Sequence, residues 1–452
     1  MLLRFGVENH RSIRSYQEIS LVASKLKDDE SGLIELEMDG ASDEASQSSR
    51  KSRLRVVPVL ALYGANASGK STVLNALEFF LNGIRRSHAS GAPGERTAYA
   101  PFLLDEDSRN LPSRYDSDIA LEGVRYHYGF TLDGKRILSE WLYSFPLTGA
   151  RQTKTILFHR DFTQSTEFHF GKQLRGENKQ IAKLVRENSL FLSAAAQNAH
   201  PQLVPIFEYF SAKFTRRLDQ DQPTGMMVEE LVAYFGSDKG RRDSALRFLK
   251  AADTGISGID FSSVPRTEKT LVFIEDFEQL LSRHFKHDLG LAKQKEEAKV
   301  ELLHSGLTKS YPIRIDLESA GTISLLRLLG PALTRLQEGG VLLIDELNST
   351  LHPLVSRELI RLFSDPETNP GRAQLLFTTH DTNILSGKLL RRDQIWFAEK
   401  DAEGGTYIFA MSDIKVRSSE NLEVGYLEGR YGAAPDFDPF EACLKQRQKV
   451  EG

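Results

Sequence analysis

The spacing of apolar and polar positions divides the chain into elements before any motif is considered. Leu2, Phe5 and Val7 predict a first strand, and Glu18 to Ala23 a second, short one of mixed pattern. From Lys25 to Arg55 the chain is polar and rich in Ser, Asp and Glu, and Gly40 to Arg53 are almost without apolar residues, which predicts a surface loop. Val56 to Tyr63 is a nearly continuous apolar run, as expected of a strand buried on both faces, and it leads into a glycine-bracketed turn. Leu74, Leu77, Phe80 and Leu81 then share one face of a predicted helix. Arg125 to Tyr143 alternate around an Asp133 and Gly134 turn, which predicts antiparallel strands joined by a hairpin and therefore a mixed sheet. From Pro201 to His304 the pattern turns helical and charged, with Lys293 to Val300 inside it. Strand and helix alternation returns near Leu317 and continues through Val341 to Ile344, Gln374 to Thr378 and Gln394 to Ala398. The pattern predicts an α/β head in two parts, residues 1–200 and 311–435, a helical insertion over 201–310 and a tail over 436–452.

Composition narrows the class. The 452 residues are 40% hydrophobic and 27% charged, enough for more than one core and unlike a disordered chain. A formal net charge of −4 gives no broad basic surface of the kind that binds nucleic acid. The lone Cys443 excludes an intramolecular disulfide framework and a thiolate metal cluster. Met1 to Val7 is interrupted by Arg4 and is too short for a signal-peptide core, and no run approaches the ~20 apolar residues of a membrane span. The expected compartment is the cytoplasm.

Candidate chemistry begins at Gly64, Ala65, Asn66, Ala67, Ser68, Gly69, Lys70 and Ser71, which match the P-loop pattern at every required position. A buried strand before and an amphipathic helix after are what the motif needs, because successive backbone N–H groups and the helix N-terminus converge on phosphates. Lys70 would reach the terminal phosphates of ATP, and the Ser71 hydroxyl would hold Mg²⁺. Far downstream, the strand Val341 to Ile344 ends in Asp345 and Glu346, at the edge where a doubly wound sheet places its ligand. Asp345 would take Mg²⁺ and Glu346 would polarise the attacking water. His380, after Thr378 and Thr379 at the end of an apolar stretch, would stand beside the γ-phosphate as a polar sensor. Glu318, Ser319, Ala320, Gly321 and Thr322 form a small-residue helix N-terminus, a second anion site that the first nucleotide does not require. Asn348 to Pro353 form a predicted turn containing Leu351 and His352.

In this order, the P-loop, Ser319 with Gly321, Asp345 with Glu346, and His380 resemble the ABC-type ATPase heads of structural-maintenance-of-chromosomes, RecF and overcoming-lysogenization-defect proteins. More narrowly, the chain is similar to the RloA-like ATPases, related to the AriA subunit of a bacterial anti-phage system. The similar stretches are Met1 to Ala23, Val56 to Leu77, Ser189 to Asn198, Glu318 to Phe363 and Gln374 to Pro435. Arg392 to Trp396 and Gly429 to Gly432 are particularly like that family. The resemblance implies a P-loop NTPase of ABC type that works as a homo-oligomer, at least an ATP-dependent dimer. In it, Ser319 and Gly321 contact the γ-phosphate held by another subunit. It also suggests Gln197 as a glutamine linking Mg²⁺ to the helical lobe, the other reading being an exposed polar residue after Leu190 to Leu192. The implied partner is an effector encoded nearby, a Toprim-type nuclease or RloB-like protein, which the ATPase regulates in anti-phage defence. A DNA-repair ATPase acting directly on DNA is the alternative, which the acidic balance disfavours. Two features depart from the family patterns: Thr322 stands where transporters have a second glycine, and the long hinge arms of chromosome-maintenance proteins are missing.

Overall fold

The computed structural model describes residues 1–26, 28–36, 54–147, 153–217, 224–285, 296–349, 351–385, 389–416 and 420–433. The predicted loop from Gly40 to Arg53, Lys293, Cys443 and the 436–452 tail lie outside these residues. The chain forms two compact units, one made of Met1–Arg216 with the residues from Arg335 onward, the other of Arg217–Thr334.

The first unit is organised around a six-stranded sheet. Its order is Phe214–Arg216, Val341–Ile344, Gln374–Thr378, Val59–Tyr63, Ile395–Lys400 and Thr406–Ala410. The first five strands pair in parallel, and only the last is antiparallel. Val59–Tyr63, Val341–Ile344 and Gln374–Thr378 are buried along their whole length, so each is an uninterrupted apolar or uncharged run rather than an alternating one. Because these three run in parallel, the residues that follow them, Gly64, Asp345 and Thr379, leave from the same edge.

A second, wholly antiparallel sheet of seven strands contains the hairpin expected around Asp133 and Gly134, here Val124–Leu132 paired with Ile137–Pro146. It also contains Leu2–Glu8 and Gln17–Ser20, paired with each other. The six-stranded sheet is mixed, as expected, through its antiparallel edge strand Thr406–Ala410, while the hairpin strands belong to this separate sheet. The apolar run expected from Val56 to Tyr63 is divided. Leu54–Val56 pairs with Ile34–Leu36 in a small ribbon, and the central strand starts at Val59. Pro58, which has no N–H to donate, separates the two, and its carbonyl accepts from Leu375 N.

The helix Lys70–Arg86 ties the sheets together. Its buried side includes Val73, Leu74, Leu77, Phe80, Leu81 and Ile84. Phe80 meets the rings of Phe5, Tyr128 and Phe130 from the antiparallel sheet at centroid distances of 5.7, 5.9 and 5.6 Å. Phe210, on the helix Val204–Ala212, closes the cluster from 5.4 Å.

The second unit is not purely helical. Thr224–Phe235, Lys239–Ala251 and Glu268–Phe285 are helices, and Ile256–Pro265, Glu296–Ser305 and Ser310–Arg314 form an antiparallel sheet. The described part of the charged stretch expected to be helical, from Glu296 to Val300, is strand. Val300 and Leu302 are buried while Lys299 and Glu301 are paired beside them, a period of two that the high charge content masks. Among the described residues no helix is long and apolar enough to cross a membrane.

Candidate nucleotide-binding site

The P-loop lies between the strand Val59–Tyr63 and the helix Lys70–Arg86. Its glycines are required by geometry. Gly69 has φ +104°, and a Cβ there would run into the Thr406 side chain. A Cβ on Gly64 would meet the Ala398 carbonyl and Ser68 Oγ. Ala67 is itself left-handed at φ 62°, a strained conformation typical of ligand-binding turns. The helix begins without a side-chain cap and with no acidic residue in its first turn, so its free N–H groups and dipole are left uncompensated toward an anion. Thr406 supports the turn from behind. Its hydroxyl donates to the Ser68 carbonyl at 3.0 Å and lies 2.8 Å from Ser12 Oγ, which in turn donates to Thr72.

Lys70 is buried, and its ammonium donates to the Gly64 and Ala65 carbonyls, both at 2.8 Å. Burial lowers its pKa, opposed by the charges of Glu346 and Asp345. Ser71 Oγ donates to Asp345 Oδ1 at 3.0 Å, and Thr378 Oγ1 donates to the same oxygen at 2.6 Å. Thr378 Oγ1 also accepts from Glu346 N at 2.8 Å, so one hydroxyl fixes both members of the carboxylate pair. Glu346 is exposed and left-handed at φ 51°, a conformation that costs an ordinary residue about 1–2 kcal/mol.

His380 is exposed at the end of the neighbouring strand. Asn348 Oδ1 accepts from Thr379 Oγ1 at 2.8 Å, which turns the Asn348 amide nitrogen toward His380 Nε2, 3.1 Å away. With the Asn348 amide as donor, Nε2 is the acceptor and Nδ1 is the ring nitrogen left to donate. Arg216, at the end of Phe214–Arg216, donates to Asn75 Oδ1 at 2.8 Å and stands 3.9 Å from Asp345 Oδ2.

Lys70, Ser71, Asp345, Glu346 and His380 are therefore assembled along one sheet edge in the first unit, together with the backbone of Asn66, Ala67, Ser68 and Gly69. Ser71 Oγ and the Asp345 carboxylate are hard oxygen donors in contact with each other, a set suited to Mg²⁺, which keeps most of its shell for water and phosphate. Among the described residues no group of three or more His, Cys, Asp or Glu is arranged to hold a metal ion.

Ser319 and Gly321 lie in the Arg217–Thr334 unit. Ser319 is exposed and caps the helix Ala320–Glu338, accepting from Thr322 N at 3.1 Å while its oxygen lies 2.9 Å from Thr322 Oγ1. The threonine that replaces the second glycine thus supports the serine.

Gln197 is a correction. It ends the helix Phe191–Gln197, whose Ser193 Oγ accepts from His88 N, just beyond the far end of the P-loop helix. At helical rise Ser71 is about 25 Å from His88, whereas the turn from Ser193 to Gln197 rises about 6 Å and a glutamine reaches about 5 Å further. Gln197 therefore does not meet Ser71 or Asp345. Three residues with clear places at the site, Thr378, Asn348 and Arg216, carried no assigned role in the sequence. The only signal for the first two was their position at the ends of the Asp345 and His380 strands, and Arg216 had none.

A P-loop turn at the head of an uncapped helix, with serine and aspartate joined below it at the end of parallel strands, defines a P-loop NTPase. The chain belongs to the family described as "AAA domain, putative AbiEii toxin, Type IV TA system", whose model matches residues 59–224 and 226–386. Solved structures similar to it include the SMC head domain from Thermotoga maritima, at 11% identity and TM-score 0.40, covering 92% of this chain and 99% of that one. The Smc head domain from Pyrococcus furiosus, solved with an extended coiled coil and the C-terminal domain of ScpA, is similar at 11% identity and TM-score 0.36, with coverages of 90% and 96%. No curated protein matches the chain.

Proposed function

We propose that this protein binds ATP with Mg²⁺ and hydrolyses it at sites shared between two copies of the chain, and that its nucleotide state controls a partner effector in anti-phage defence. The observation that carries the hydrolytic reading is the hydrogen-bonded cluster of Ser71, Asp345, Thr378 and Glu346, whose two acidic residues act on the charge of Lys70. Bound Mg²⁺ would neutralise phosphate charge beside Ser71 and Asp345. Lys70 exchanges its two P-loop carbonyls for the terminal phosphates, Glu346 orients and polarises the attacking water, and His380, aligned by Asn348, offers Nδ1–H to the γ-phosphate. The exposed N-terminus of Ala320–Glu338, with Ser319 and Gly321, suits the γ-phosphate of a second copy's nucleotide.

The effector reading is supported by the family description, which names a type IV TA system, and by apolar surface on Glu268–Phe285. There Val272, Phe273 and Phe277 are 53%, 69% and 45% exposed, more than isolated surface residues need be, with the two phenylalanine rings stacked. The segments from Pro201 to His304 and after Asp413 are the proposed docking surface. The test is to purify wild-type and Glu346→Gln chains together with the neighbouring gene product, with and without ATP. Nucleotide-dependent retention is expected, because an effector follows ATP state only if it binds one state more tightly. Equal retention in all four samples would contradict the effector role. Salt-dependent binding of duplex DNA by the purified chain would favour direct action on DNA instead.

A further inference from the structure

Arg216 belongs to neither the P-loop nor the carboxylate motif, yet it stands at the candidate metal ligands. It closes the strand Phe214–Arg216, which pairs in parallel with Val341–Ile344 in the register Arg216 to Leu343, two residues before Asp345. Its guanidinium is tethered from one side by Asn75 Oδ1 on the P-loop helix, 2.8 Å from Nη1. From the other side Nη2 lies 3.9 Å from Asp345 Oδ2. The Asp345 carboxylate does not need this contact for its orientation. Its other oxygen is already held by Ser71 at 3.0 Å and Thr378 at 2.6 Å. The side chains of Arg216 and Asp345 are both about four-fifths shielded, at 21% and 22% exposure, so their charges are only partly screened.

We propose that Arg216 is the resident counter-cation of Asp345 and weakens divalent-metal binding at Ser71 and Asp345, so that a metal ion is held firmly only when polyphosphate charge outweighs the guanidinium. The inference rests on the reading that Ser71 and Asp345 hold the metal. It makes arrival of the metal conditional on the nucleotide, and it places that condition on the last residue before the chain passes into the Arg217–Thr334 unit.

The sign of one measurement separates this role from a merely structural one. If Arg216 braced Asp345, removing it would loosen the carboxylate and weaken metal binding. If it competes with the metal, removing it strengthens binding. Mn²⁺ serves as the probe, with bound and free ion counted by electron paramagnetic resonance on nucleotide-free full-length protein at low ionic strength. Arg216→Met and Arg216→Gln should each bind Mn²⁺ about five- to tenfold more tightly than wild type, and the gain should shrink as salt is raised. Arg216→Lys should stay close to wild type. Unchanged or weaker binding in both neutral variants would overturn the proposal. Asp345→Asn separates the two levels: it should lose the site, and wild-type Mn²⁺ binding by that variant would overturn the metal-ligand reading itself.

Discussion

One threonine hydroxyl links the Asp345 carboxylate to the backbone of Glu346, the two acidic residues on which the proposed chemistry depends. Because Thr378 Oγ1 donates to Asp345 and accepts from Glu346 N, the near-isosteric Thr378→Val removes both bonds with little change in volume. A hydrogen bond to a charged group contributes about 1.5–3 kcal/mol, so turnover should fall tenfold or more while ATP affinity holds, as read from steady-state rates and binding of a fluorescent ATP analogue. Lys70→Ala should instead abolish binding in the same assay, since the ammonium is the point charge for the terminal phosphates. Asn348→Ala and His380→Ala should each slow turnover about tenfold without loss of affinity, and the double variant should be no slower than either, because Asn348 acts through His380. Independent, additive losses would contradict that coupling. Lys70, Ser71, Asp345 and Glu346 were legible because each motif is contiguous and its residue types are tied to a phosphate or metal role. Thr378, Asn348 and Arg216 were not, because their partners lie about 30 to 140 residues away in sequence and only the fold brings them together.

At the scale of elements, the P-loop helix depends on Phe80, which fills the space between the antiparallel sheet and Val204–Ala212. Phe80→Ala should destabilise the protein by about 3–5 kcal/mol, visible as a lower denaturant midpoint. A loss under 1 kcal/mol would mean that the two sheets are not packed through this ring. The apolar face of this helix was readable from its periodicity, and the strands Val341–Ile344 and Gln374–Thr378 from their unbroken buried runs. Two readings failed for a shared reason. Pro58 interrupts an apolar run without changing its hydrophobicity, and Glu296–Ser305 is a strand whose alternation is hidden among charged residues. Hydropathy reports burial, whereas strand boundaries also depend on which N–H groups find partners.

At the scale of the whole molecule, the P-loop and the Asp345 strand are far apart in sequence and adjacent in one sheet, with the Arg217–Thr334 unit inserted between them. That the chain holds an α/β P-loop head was legible from its motifs and their order. The place of Gln197 was not, because it depends on which end of the P-loop helix the Phe191–Gln197 helix meets. Ser319 and Gly321 sit on the inserted unit, at an exposed helix N-terminus where Ser319 accepts from Thr322 N. The proposal that they serve a nucleotide held by another copy is the central claim, and a mixing experiment tests it most directly. Ser319→Arg should leave ATP binding by the isolated chain near wild type and remove hydrolysis, and Lys70→Ala should be inactive because it cannot hold ATP. A mixed pair of the two retains one intact site, with Lys70 from the first chain and Ser319 from the second. ATP turnover by the mixture should therefore rise well above that of either variant alone, whereas mixtures that form mixed oligomers and remain inactive would contradict a site shared between subunits.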